Sequence, residues 1–143
     1  MSAKRLERLE RLVVHLVALH SVAVGLGLIF LTRWGAAFGG WPEVTPLFFA
    51  RQAGIFHFVV VAGYLLEYHR TGGVTFLLTT KSIAVVFLLT MTAVDGGPWM
   101  VPVSAAGDAL MGAVVWALHR RAAAERRPPQ GSRTSPEFGR RPT

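Results

Sequence analysis

The stretch VTFLLTTKSIAVVFLLTMTAV, residues 74–94, is apolar almost throughout and carries one charge, Lys81. About 20 apolar residues in helical form cross the hydrocarbon core of a bilayer, so this stretch reads as a membrane span. An ammonium inside such a span is expensive, and it calls for a partner or a purpose.

Three further stretches have the same character. They are LVVHLVALHSVAVGLGLIFLT (12–32), LFFARQAGIFHFVVVAGYLLEY (47–68) and VPVSAAGDALMGAVVWALH (101–119). The segments between them, GGWPEVTP, HRTGG and DGGPWMVP, carry turn chemistry. Trp34, Trp41, Trp99 and Trp116 all fall near span ends, where an aromatic belt would place them. The expected fold is an all-α, integral membrane four-helix bundle spanning residues 12–119.

Bulk properties agree. The chain has 143 residues, is 52% hydrophobic and has a mean hydropathy of +0.42, too apolar for an ordinary soluble domain of this size. Cysteine is absent, which excludes disulfides, thiolate zinc sites, iron–sulfur clusters and thiol catalysis. The formal charge of +7 is concentrated at the two ends of the chain. Basic ends on an apolar core fit an anionic lipid surface better than nucleic acid. No phosphate loop, zincin helix or nucleic-acid motif stands in the sequence.

Basic residues set the expected orientation. Lys4, Arg5, Arg8 and Arg11 precede the first span, Arg70 follows the second, and Arg120, Arg121, Arg126, Arg127, Arg133, Arg140 and Arg141 follow the fourth. The opposite side has Arg33 in its loops and Arg51 just inside the second span. Both termini are therefore expected in the cytoplasm, with the chain in the inner (plasma) membrane. The first apolar run exceeds the usual length of a signal-peptide core, so it reads as a retained span. Residues 1–11, MSAKRLERLER, have helical composition with Leu6, Leu9 and Leu12 along one side, and read as a basic cytoplasmic extension of that span. Residues 120–143 lose periodicity and gain Pro, Gly, Ser and Arg, which reads as a disordered basic tail.

Polar groups within the spans are the candidate site. Counted from the cytoplasmic end at a rise of about 1.5 Å per residue, Lys81 lies about 10 Å in, His20 about 12 Å, His57 about 15 Å and Asp108 about 16 Å. One polar group from each span thus falls near one level, where all four could face the centre of a bundle. Helical spacing gives Gly54, His57, Val61, Tyr64 and Tyr68 one face, and Ser104, Asp108, Gly112, Val115 and His119 another. His20, Val24 and Gly27 share a third, with His15 pointing away. Gly107 and Gly112 would permit close helix contact. Spans three and four are joined by a short loop, so Asp108 is the expected partner of Lys81.

That pair has two readings: a structural ion pair (or Lys81 snorkelling to headgroups), and a polar site that passes protons or grips a ligand. Arg51 and Gln52 form a second candidate near the outer end of the second span. Arg51 would reach lipid phosphate, pair with Glu43 or Asp95, or contribute to an outward-facing anion site. Bis-histidine haem ligation by His20 and His57 and a metal site adding Asp108 are further alternatives, as is a quinone. No nucleophile–base pair stands out, so independent catalysis is not expected.

The four-span plan, the glycine-rich GLGLIFLTRWGAAFGG closing the first span and the RQAG opening the second resemble the DoxX-like group of small bacterial membrane proteins over roughly residues 12–119. The resemblance implies a four-helix accessory membrane subunit rather than a stand-alone enzyme, some of that group being linked to redox complexes, and carries no functional residue across. The expected function is therefore an accessory or scaffold subunit that packs against other membrane proteins or itself. The alternatives are a homo-oligomeric proton-coupled carrier using Asp108 and Lys81, or a haem- or quinone-binding redox subunit.

Overall fold

A computed structural model describes residues 3–126, all of it helix and connecting loop. Five helices follow in order: α1 (Ala3–Phe30), α2 (Thr32–Gly39), α3 (Leu47–Thr71), α4 (Thr75–Asp95) and α5 (Met100–Arg126). Four of them, α1, α3, α4 and α5, are long and apolar enough to cross a membrane.

The helix ends follow from local chemistry. Gly40, Gly72 and Gly96 have φ of +95°, +67° and +60°, and cap α2, α3 and α4 in the left-handed conformation. The N–H groups of Gly72 and Gly96 return to the carbonyls of Tyr68 and Thr92. No side chain of its own caps the start of α4. Glu67 on α3 does this instead, its carboxylate accepting the Phe76 N–H at 2.8 Å. The same contact ties the α3–α4 hairpin together.

The short helix α2 was not foreseen. The first span was expected to run on to residue 32, but α1 ends at Phe30 and the chain bends at Leu31. Thr32 is buried, and its hydroxyl donates back to the Leu28 carbonyl, an interaction that bends helices. α2 then sets Trp34 and Phe38 in a stack 5.6 Å apart, and Phe38 meets Trp99 edge-on.

Residues 3–11 continue α1 without a break. One other boundary moves: α5 runs past His119 to Arg126 rather than giving way to a tail at residue 120. Pairing explains that extension, since Arg126 bonds Glu7 and Glu10 on α1. The remainder of the expected tail, 127–143, lies outside the described residues, as do residues 1 and 2.

The helices alternate in direction, and the closest neighbours are α1 with α3, α4 with α5, and α1 with α5. Val14, Val17 and Ala18 of α1 pack with Val61 and Tyr64 of α3, Val74 and Leu77 at the start of α4, and Val115 of α5. α1 and α3 approach most closely at two glycines. A Cβ at Gly25 would lie 2.9 Å from the Gly54 carbonyl oxygen, and one at Gly54 would lie 2.7 Å from that of Gly25. Gly107 was expected to serve such a contact, but a Cβ there would meet nothing within 4 Å, and one at Gly112 would meet the Lys81 Cβ at an ordinary 3.7 Å.

The outside of the bundle is as apolar as its inside. Only 11–28% of the residues in the four apolar stretches are buried. Leu19, Phe56, Val59, Ile83, Phe87 and Leu110 are each more than half exposed. A soluble bundle would place such residues inward and polar ones outward.

Candidate functional site

Lys81 occupies the second turn and a half of α4, on the helix face that also buries Leu77. Opposite it on α5 stands Asp108, one turn before Gly112, where a Cβ would meet the lysine stem at an ordinary 3.7 Å. The ammonium bonds the carboxylate at 2.5 Å, with side-chain exposures of 7% for Lys81 and 17% for Asp108. Among the described residues neither group has another hydrogen-bond partner. One of three ammonium donors and one carboxylate oxygen are therefore used, and the rest are free. The pair lines a groove of about 440 Å³ between α4 and α5, with Ser82, Ala109, Gly112 and Trp116 on its walls.

His57 is half-buried on α3, and its Cβ packs beside Gly25 at the α1–α3 crossing. Of the four groups expected to converge, only Lys81 and Asp108 are hydrogen-bonded to each other. The expected inward face of α1 was wrong: His20 is exposed, and the buried stripe is Leu6, Glu10, Val14, Val17, Ser21 and Gly25. His15 does point elsewhere, its ring meeting those of Tyr68 and His69 edge-on. On α3 the expected face is the packed one, with Gly54, Val61 and Tyr64 buried. On α5, Val115 is buried, whereas Ser104 is exposed. No group of three His, Asp or Glu side chains among the described residues is placed to hold a metal ion, so His20, His57 and Asp108 do not form one. Arg51 and Gln52 are exposed on the first turns of α3. Arg51 reaches neither Glu43 nor Asp95, and among the described residues it makes no ion pair.

Sequence reasoning missed a second charged site. Glu10 is 1% exposed, the most deeply buried carboxylate among the described residues. His119 Nδ1 lies 2.7 Å from its Oε1, and Arg126 donates to its Oε2 at 3.3 Å and to Glu7 at 3.1 Å. The signal was present: Leu6, Glu10 and Val14 are spaced four apart, so any apolar stripe through Leu6 and Val14 carries Glu10 inward. The pairing also fixes an antiparallel register. Eleven residues along from Glu10 stands Ser21, and eleven back from His119 stands Asp108, about 16 Å away along either axis. Ser21 is buried at that level, and its hydroxyl has no hydrogen-bond partner.

Glu10→Ala should lower stability by about 2–3 kcal/mol, because it leaves His119 and Arg126 without their buried acceptor. Arg126→Ala, at a half-exposed partner, should cost under about 1 kcal/mol. Thermal unfolding in mild detergent, followed by circular dichroism, would rank the two.

Compared with known proteins, the chain matches no family model, no curated relative and no solved structure.

Proposed function

We propose that this chain is a multi-pass protein of the bacterial inner membrane, with both termini cytoplasmic, serving as an accessory or scaffold subunit of a larger assembly. The observation that carries the reading is the inverted polarity of the bundle. Large apolar side chains cover the outside of all four long helices, while Glu10 and Lys81 are buried. In a bilayer the apolar exterior is solvated by lipid, and the charges are satisfied internally. Basic residues at the ends favour the orientation, and Trp34, Trp41 and Trp99 gather at the opposite end, where an interfacial belt is expected. A slender bundle with open apolar flanks offers faces to other membrane proteins or to a second copy. The DoxX-like resemblance in topology points the same way, toward a subunit of a redox complex.

Native mass spectrometry of the protein gently extracted from its own membrane tests this. The expected result is a mass exceeding the chain plus lipid by a partner subunit or a second copy. A bare monomer carrying only lipid would remove the subunit reading.

A specific observation favours one alternative. Asp108 and Glu10 are two inward-facing carboxylates at different depths, each held by a basic partner. A proton-coupled carrier would use such stations in turn. In that case Asp108→Asn and Glu10→Gln would each abolish flux in proteoliposomes while leaving the fold intact.

A further inference from the structure

The Lys81–Asp108 pair is incompletely satisfied. Lys81 is nine-tenths buried, yet it spends one N–H on Asp108 and leaves two without an acceptor among the described residues. Asp108 accepts through one oxygen and leaves the other free. Both unfinished groups border a groove between α4 and α5 whose remaining walls are apolar or small, including Ala109, Gly112 and Trp116. Its volume of about 440 Å³ suits a small amphiphile. In water these vacancies would go unnoticed. Against hydrocarbon, each unsatisfied donor or acceptor costs free energy that a hydrocarbon chain cannot recover.

We propose that this groove binds a hydroxyl-headed amphiphile from the surrounding lipid, its oxygen accepting from the Lys81 ammonium and its O–H donating to the free oxygen of Asp108. A hydroxyl is the smallest head that does both at once. An ester or ether accepts but cannot donate, and an alkyl chain does neither. The apolar body lies along Val85 and Val86 of α4, on the side of the pair away from the basic helix ends, while the small side chains of Ala109 and Gly112 leave the head open to Trp116, which closes the other end of the groove. Arg120 sits over the same indole, 4.9 Å from its centroid, and fixes that wall.

The proposal rests on the bilayer reading alone and not on the subunit role. The test places the full chain in phospholipid nanodiscs and titrates three probes dibrominated near one end of the chain, beside the head where there is one: a long-chain alcohol, its methyl ether and the matching alkane. Bromine quenches a tryptophan only near contact, so Trp116 reports occupancy, and a Trp116→Phe variant shows which part of the signal is its own. Quenching by brominated phospholipid acyl chains reports insertion separately, so loss of the membrane reading is distinguishable from loss of this site.

The alcohol should quench Trp116 saturably and about tenfold more tightly than the ether, the factor for one hydrogen bond to a charged group. Ala109→Leu, at an exposed position on the groove wall, should abolish that saturable component while leaving the helical circular dichroism unchanged. Asp108→Asn should erase most of the preference for alcohol over ether. Equal quenching by all three probes would show a groove filled by ordinary acyl chains and water, and would overturn the proposal. So would alcohol-selective quenching that survives in Trp116→Phe, or an Ala109→Leu variant whose one effect is to dissociate a homodimer; that last outcome would assign the groove to a second copy of the chain.

Discussion

Asp108→Leu, with Lys81 left in place, should unfold at markedly lower denaturant, with a loss of about 3–5 kcal/mol, the range for stranding one member of a buried ion pair. The Lys81 side chain is 7% exposed and, among the described residues, its ammonium has no other hydrogen-bond partner, so the substitution leaves it facing apolar surface with nothing to accept from it. Its escapes are limited. Lys81 stands six residues into α4, about 9 Å from the helix start, farther than its stem can easily snorkel. It can deprotonate, which caps the loss rather than removing it.

The decisive variant is the double. Lys81→Met combined with Asp108→Leu removes both charges and fills their space with apolar atoms, so it should return to within about 1 kcal/mol of the native protein. The single losses are therefore expected to be strongly non-additive. Reversible unfolding in mixed micelles, read by circular dichroism, would measure the cycle. If the double variant lost the sum of the two singles, the pair would have no coupling, and its part in holding α4 against α5 would have to be abandoned.

How much of this was legible beforehand depends on the kind of pattern involved. The four long helices were, because twenty apolar residues between Gly- and Pro-rich breaks leave few alternatives. The pairing of Lys81 with Asp108 was also legible, since one buried ammonium and one buried carboxylate stood on consecutive spans joined by a tight loop. Facing directions were not. In a membrane-type helix, hydrophobicity no longer separates inside from outside, so periodicity loses its usual contrast. α1 shows the consequence. His20 drew attention as a polar group in an apolar run, yet it is exposed, while Glu10 was passed over as part of a charged extension and is the buried one. Small residues were no better guide, for a Cβ at Gly107 would meet nothing within 4 Å while one at Gly25 would run into the Gly54 backbone. Side-chain absence permits a close approach but does not say where it happens.

Gly54 carries the other large expected effect, and it has an internal control of opposite sign. A methyl group there would sit 2.7 Å from the Gly25 carbonyl oxygen and 2.8 Å from the Ile29 side chain. The side chain can turn away, but the backbone oxygen cannot move without moving α1. Gly54→Ala gains up to about 1 kcal/mol in helix propensity and loses about 1–3 kcal/mol to overpacking, for a net loss. Gly54→Leu has no rotamer that avoids the carbonyl. It must force α1 and α3 apart along the contact that also carries Val14, Val17 and Val61, and should leave no cooperative unfolding transition. Gly107→Ala makes the same chemical change in α5 with nothing within 4 Å, so propensity acts alone and the variant should gain up to about 1 kcal/mol. The two alanine variants should thus move the unfolding midpoint in opposite directions. Were Gly54→Ala also stabilising, the α1–α3 axes would have to lie farther apart than the contact of Gly25 with Gly54 requires.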